Sequence, residues 1–243
     1  HTKAPTVGHV RSANRLLLWI RKNLKRLGVR YQRLREPLRL IALSDSAFKA
    51  QDYDGLVMRG CVIMLAEAVA DGDSHKPWST GTTIRLHLLD WYSRKHTRVV
   101  RSTFAEELLS LLDAVNQGNV IKIALDELHI GTRTAKQLLE QRSKAGIPLD
   151  AGVDARSVFD SLTADVVRTP NDKQLLLHAK AMRELLEDGQ IDRLFWFDTE
   201  DMLPDGLTKG SVDREPLLKV AAEGEWAIKY DAPVWKTLKK EGQ

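Results

Sequence analysis

The order of the apolar segments constrains the fold of this 243-residue chain more than any other feature. Three segments with the length of strands, partly β-branched, separate a basic N-terminal helical pattern from the next long helical pattern. After that helix, short apolar strands alternate with amphipathic helices. The predicted strands span 38–44, 55–68, 82–93, a short segment ending at Asp154, and 191–197. This order predicts an α/β domain with a mixed sheet.

Helical periodicity accounts for most of the remaining chain. A basic amphipathic helix is predicted over residues 10–27, with Gly28 as its stop. A second helix is predicted to begin at Ser102 or Thr103, and Gly118 is a candidate end or interruption of it. Further helices are predicted in three segments, which are 132–144, 155–162 and 172–186.

Four acidic residues lie at the ends of these predicted elements. Asp45 follows the first strand, Asp154 ends the fourth, Glu106 lies in the first turn of the second helix, and Asp205 lies at the start of a helix after the last strand. Carboxylates that converge from separate elements can hold two divalent metal ions, and two such ions can cleave a phosphodiester. The chain has 33 acidic residues, so each of the four taken singly could instead be a cap or a surface charge.

The local sequence around each acid narrows these alternatives. The first segment is Ser-Asp-Ser-Ala at 44–47, and the second is Arg-Ser-Thr-Phe-Ala-Glu at 101–106. The third is Asp-Ala-Arg-Ser at 154–157, and the fourth is Thr-Glu-Asp-Met-Leu-Pro-Asp-Gly-Leu-Thr-Lys at 199–209. In this order they resemble the RNase H domain at the end of the polymerase polyprotein of copia-type LTR retrotransposons. The fourth segment is the most specific match, and the third is the weakest.

The resemblance also reaches upstream and suggests a division of the chain. Residues 9–21 resemble the helix that connects polymerase and RNase H in that family. We therefore expect a basic connection helix or arm over 1–37 and an RNase H-like catalytic domain over 38–210. Residues 211–243 are expected to form a C-terminal extension, because they match no part of the family pattern. The first residue is His1, which suggests a fragment of a longer chain or a processed product.

The resemblance implies a fold, an activity and a metal. The implied fold is RNase H-like, with a mixed five-stranded sheet that begins with three antiparallel strands and has helices on both faces. The implied activity is an endonuclease that hydrolyses the RNA strand of RNA–DNA hybrids by two-metal-ion catalysis within a retroelement reverse transcriptase. The implied cofactor is a pair of Mg²⁺ ions, for which Mn²⁺ can substitute, since hard oxygen ligands suit both ions.

The resemblance also assigns a role to each acid. Asp45 would bridge both metal ions, and Glu106 and Asp154 would hold the ion nearer the leaving group. Asp205 would hold the ion that activates water. Candidate contacts to the substrate near the site are the following residues: Ser46, Arg59, Ser102 and Arg156.

Departures from the family pattern keep other functions open. Ala155 and Arg156 stand where the family has Asn and Gln, and Pro170 lies where the family has a Lys-His-Ile segment. The alternative is a non-catalytic, domesticated RNase H-like module that serves as a scaffold or nucleic-acid-binding platform in a larger assembly. A DNA-strand nuclease or transferase on the same fold is a third reading.

The charge distribution agrees with a nucleic-acid partner. Residues 1–40 contain eleven Lys and Arg and one acid, whereas the remainder contains 26 basic and 32 acidic residues. A basic arm on a mildly acidic body favours a polyanion, although a solvated helix face would have the same composition. The expected partners are an RNA–DNA hybrid and the polymerase portion of the parent polyprotein.

Other sequence features restrict the cellular compartment and the class of chemistry that we expect. The chain has no run of eighteen apolar residues and no visible signal peptide, so we expect no membrane contact and an intracellular location, cytoplasmic or nuclear. The single cysteine, Cys61, fits a reducing compartment. No Walker-type phosphate loop, paired cysteine ligands or Gly-x-Ser-x-Gly segment occurs.

Overall fold

The computed structural model describes residues 4–25, 27–48, 57–68, 78–96, 102–132, 134, 136–137, 146–165 and 173–235. The strands are β1 Leu38–Phe48, β2 Val57–Glu67, β3 Thr83–Lys95, β4 Leu149–Val153, β5 Arg193–Trp196, β6 Glu225–Ala227 and β7 Val234–Trp235. The helices are α1 Val7–Asn23, α2 Thr103–Ile130, α3 Arg156–Thr163, α4 Lys173–Glu187, α5 Asp205–Thr208 and α6 Glu215–Glu223, with a 3₁₀ turn at Thr199–Asp201.

The strands form one mixed sheet in the order β6-β3-β2-β1-β4-β5-β7. Strands β1, β2 and β3 are antiparallel neighbours, whereas β4 is parallel to β1 and β5 is parallel to β4. The predicted α/β class with a mixed sheet is confirmed. The predicted count of five strands is wrong, because β6 and β7 add an antiparallel strand to each edge.

Helices α2, α3 and α4 pack on one face of the sheet, where they share an apolar cluster with β1 and β4. On the other face, α6 packs with Phe195, Phe197 and Trp226. Helix α2 continues through Gly118, so this glycine neither ends nor interrupts it. A Cβ at Gly118 would lie 2.9 Å from a methyl carbon of Leu149, so the missing side chain lets α2 approach β4 closely.

The chain on either side of the central domain contacts it in different ways. Both edge strands come from the described part of the predicted C-terminal extension. Helix α1 has no buried residue, and the segment after it reaches α6, where Arg30 N donates to Ala221 O at 2.8 Å. Most of the helix predicted over 132–144 lies outside the described residues. No helix in the described ranges has the length and hydrophobicity needed to cross a membrane.

A buried ion network joins β1, β4 and β5. The carboxylate of Asp150 is fully buried and accepts bidentate hydrogen bonds from both Arg39 and Arg193. Arg39 also pairs with Asp192. Asp150 thus compensates the largely buried charge of Arg193 and, together with Asp192, that of Arg39, which ties the parallel half of the sheet together.

Asp150→Ala is expected to lower the free energy of unfolding by about 3–5 kcal/mol, because it leaves the buried guanidinium of Arg193 without this partner and removes one of the two acids that pair with Arg39. Urea denaturation measures this change. The matched control is Asp160→Ala, which removes a solvent-exposed ion pair with Arg156 and should change stability by less than about 1 kcal/mol. Equal effects of the two substitutions would contradict the assignment of Asp150 as the centre of the network.

Candidate active site

Three carboxylates from three elements meet near the carboxyl ends of the central strands β1 and β4. They belong to Asp45 in β1, Glu107 in α2 and Asp154 directly after β4, and one oxygen from each lies within 4.8 Å of the others. Because β1 and β4 are parallel neighbours, their carboxyl ends lie side by side and bring Asp45 and Asp154 together. The first turns of α2 then place Glu107 beside them.

The glutamate in this group is Glu107, whereas the sequence analysis assigned Glu106. Glu106 is buried, its Oε1 has no hydrogen-bond partner in the described part of the chain, and it is not brought into the carboxylate group. Successive residues of an α-helix point about 100° apart, so only one of the two can face the site. Glu107 lies one and two turns before Leu111 and Val115, on the stripe that packs against the sheet.

The fourth predicted acid, Asp205, lies beside Asp45. It begins α5 and is buried, with 3% of its surface exposed. The ammonium of Lys209 donates to Asp205 Oδ1 at 2.7 Å and to Asp45 Oδ1 at 3.4 Å, so one cation contacts both acids. The hydroxyl of Thr208 donates to the other oxygen of Asp45. Asp205 therefore adjoins the three-carboxylate group, with Lys209 between it and Asp45.

A row of paired residues across three strands positions α5 beside Asp45. Asp45 pairs with Gly60 of β2, and Gly60 pairs with Ser93 of β3. A Cβ on Gly60 would lie 2.8 Å from the side chain of Thr208, so the glycine leaves the space that α5 fills. Ser93 Oγ donates to Leu207 O at 2.7 Å and fixes the end of α5. The short helix is thus held directly against Asp45.

Burial, together with the proximity of other acids, raises the pKa values of these carboxyl groups. Burial, followed by the charge of Asp205, raises the pKa of Asp45 to about 7. Burial, followed by the charge of Asp45, raises the pKa of Glu107 to about 8. Burial also raises the pKa of Asp154. The site therefore has more negative charge than its own cation, Lys209, can stabilise.

The donor set fits a divalent cation. All the converging ligand atoms are carboxylate oxygens, which are the hard ligands that Mg²⁺ and Mn²⁺ prefer. Glu107 Oε2 is buried and has no hydrogen-bond partner in the ranges that the structure describes. A buried carboxylate oxygen without a partner is costly, and a bound cation would satisfy it.

Two of the four predicted substrate contacts have roles inside the protein. Ser46 is buried, with 7% of its surface exposed, and its side chain hydrogen-bonds to Glu107. Ser102 is the N-cap of α2, where its Oγ accepts from Ala105 N at 3.2 Å. Ser46 is therefore placed to orient Glu107, and Ser102 fixes the start of the helix that carries it.

The two predicted arginine contacts differ in accessibility. Arg59 forms an ion pair with Asp113 of α2, and 14% of its side chain is exposed. Arg156 leaves 56% of its side chain exposed, and its guanidinium lies 5.1 Å from the centre of the Trp196 ring. Arg156 follows Asp154 by two residues and is the more exposed of the two arginines.

Together, the fold and the site define a mixed α/β domain with a largely buried cluster of three carboxylates that fits a divalent cation. No protein-family model matches the chain, and no curated protein matches it. Among solved structures, the chain is similar to LC11-RNase H1, isolated from compost by a metagenomic approach, at 9% identity and a TM-score of 0.41. That likeness covers 73% of this chain and 97% of the other.

A second solved structure with a likeness to this chain is LC9-RNase H1, a type 1 RNase H with the type 2 active-site motif. The identity is 12% and the TM-score is 0.36. The likeness covers 84% of this chain and 79% of the other.

Proposed function

We propose that this chain is a metal-dependent endonuclease of the RNase H class that hydrolyses the RNA strand of RNA–DNA hybrids. We place its natural setting in a retroelement reverse transcriptase, next to the polymerase portion. The observation that carries the proposal is the convergence of Asp45, Glu107 and Asp154, with Asp205 beside Asp45. The same acids, apart from the exchange of Glu106 for Glu107, stand in the sequence segments that resemble that enzyme class.

The geometry divides the carboxylates into two halves that share Asp45. Asp45, Glu107 and Asp154 would hold one divalent ion, and Asp45 and Asp205 would hold the other. When bound, such ions supply an attacking water of lowered pKa and stabilise the charge that develops on the phosphate and the leaving oxygen. The hydroxyl of Thr208 holds one oxygen of Asp45, and Ser46 holds Glu107, so both ligands are oriented in advance.

Exposed positive side chains support a nucleic-acid substrate. Arg156, two residues after Asp154, has an exposed guanidinium that pairs with Asp160 and could turn to a substrate phosphate. Helix α1 adds exposed Arg11, Arg15 and Arg21 that could bind backbone phosphates in a salt-dependent manner. Hybrid duplexes present 2′-hydroxyls in a wide minor groove, which would distinguish the RNA strand from DNA.

The buried carboxylates argue against a purely structural module. Acids whose pKa values rise to about 7 and 8 destabilise the folded protein at neutral pH unless a cation compensates them. A scaffold has no need of this arrangement, whereas a metal-dependent nuclease requires it.

Incubation of the protein with a labelled RNA–DNA hybrid and Mg²⁺ or Mn²⁺ tests the proposal. We expect RNA cleavage that leaves 3′-hydroxyl and 5′-phosphate ends. Cleavage should be lost in Asp154→Asn and retained in the control Asp188→Asn, which alters an exposed residue beyond α4. No cleavage by a folded protein that still binds the hybrid would contradict the proposal. Cleavage of the DNA strand alone would assign the site to a DNA nuclease.

A further inference from the structure

The ammonium of Lys209 lies between the carboxylates of Asp45 and Asp205. It is 2.7 Å from Asp205 Oδ1 and 3.4 Å from Asp45 Oδ1. Asp205 and Lys209 are four residues apart at the ends of α5, so one helical turn sets this contact. The side chain remains 31% exposed, and the ammonium can therefore leave the pair without unfolding the helix.

The charge of the Lys209 ammonium changes the pKa values of the other acids in the site. The field of Lys209 lowers the pKa values of Asp45, Glu107 and Asp154, opposing the larger effect of burial on each. For Lys209 itself, burial would lower the pKa, but the hydrogen bond to Asp205 and the nearby carboxylates raise it above its usual value. The ammonium is thus the positive charge that balances the Asp45–Asp205 half of the site.

We propose that Lys209 is a built-in counter-ion that keeps a second divalent ion out of the Asp45–Asp205 half until substrate binds. The inference rests on the proposed function, because it presumes a metal site at these acids. An ammonium in contact with both carboxylates fills the space that a cation would need and repels it. The first ion then enters at Asp45, Glu107 and Asp154, where Glu107 Oε2 has no protein partner among the described residues.

A substrate phosphate would release the Lys209 ammonium from Asp45 and Asp205. Its negative oxygens offer the Lys209 ammonium another partner on the same flexible side chain. Once the Lys209 ammonium has moved to the phosphate, Asp45 Oδ1 and Asp205 Oδ1 become available to the second ion. Loading of the second ion would therefore be coupled to the presence of nucleic acid, which limits hydrolysis to a substrate-bound site.

Mn²⁺ binding to the full chain without nucleic acid tests this inference. Titration calorimetry, together with the electron paramagnetic resonance signal of free Mn²⁺, gives the number of bound ions and their affinities. We expect one ion on the unaltered protein and on Lys209→Arg, which keeps the charge. We expect two ions on Lys209→Gln, with the second bound roughly tenfold more tightly or better than any second ion on the unaltered protein. The control is Lys219→Gln, at an exposed lysine of α6.

Each outcome has a defined meaning. Equal stoichiometry and affinity in the unaltered protein and in Lys209→Gln would overturn the role of Lys209 and leave the proposed nuclease standing. A second ion that binds the unaltered protein as tightly as it binds Lys209→Gln would do the same. No ion on any variant would overturn the metal site, and with it both proposals. Circular dichroism of each variant establishes that the fold is retained.

Discussion

Glu107→Gln is expected to lower the rate of RNA cleavage by about a hundredfold or more, whereas Glu106→Gln is expected to retain most of it. The carboxylate of Glu107 is within 4.8 Å of oxygens of Asp45 and Asp154, and that of Glu106 is not part of this group. Loss of a ligand that positions a metal removes several kcal/mol of transition-state stabilisation, which corresponds to that factor. Single-turnover cleavage of a labelled hybrid measures the effect.

Glu106→Gln is a matched control for this substitution. It makes the same chemical change one residue earlier in the same helix turn. Burial raises the pKa of Glu106 to about 7, so replacing it with a neutral amide removes a charge that is costly to bury and should not destabilise the protein at pH 8. Loss of cleavage in Glu106→Gln with retention in Glu107→Gln would return the metal-ligand role to the residue that the sequence favoured.

The choice between Glu106 and Glu107 depends on how helix α2 packs on the sheet. The resemblance aligned a segment that ends at Glu106, and both acids are compatible with the first turns of a helix. Helix phase separates them, because Glu107 continues the stripe of Leu111 and Val115 towards the sheet. That signal is present in the sequence, but it is decisive only once the sheet-facing side of α2 is known.

The strands that position Asp45 and Asp154 were predictable because each is a short apolar run. Strand β1 extends beyond its predicted end, so Asp45 lies within the strand and not after it. The edge strands were not predictable, because β6 and β7 are three and two residues long and too short for a periodic pattern. They form where the sheet edge offers unpaired backbone groups.

The arrangement of α5 was only partly predictable. The sequence indicated that Asp205 begins a helix, and the structure confirms this. The contact of Thr208 with Asp45 was not predicted, because it depends on the empty space above Gly60, which lies opposite Asp45 on the neighbouring strand. A glycine in a strand signals a close approach of another segment, but the sequence does not identify that segment.

Asp45→Asn is expected to abolish cleavage and, at the same time, to stabilise the metal-free protein at pH 8 by about 2–4 kcal/mol. Burial raises the pKa of Asp45 to about 7 in the folded protein, whereas an unfolded chain has a value near 4. The folded state therefore binds a proton more tightly, and the stability of the unaltered protein falls as pH rises from about 4 to about 7. An amide cannot ionise, so the variant lacks this loss.

The stabilisation should therefore be small at pH 4, grow across that window and reach its full size above pH 7. Urea denaturation at pH 4, 6 and 8 with a chelator present measures it, with Asp188→Asn as the exposed control. Addition of Mg²⁺ or Mn²⁺ should stabilise the unaltered protein and leave Asp45→Asn nearly unchanged, because binding to the folded state alone raises stability. If Asp45→Asn were less stable than the unaltered protein at pH 8, the buried carboxylate would instead be a structural partner of Thr208 and Lys209. A gain in stability with a loss of cleavage is the result expected of a residue whose charge is retained for metal binding.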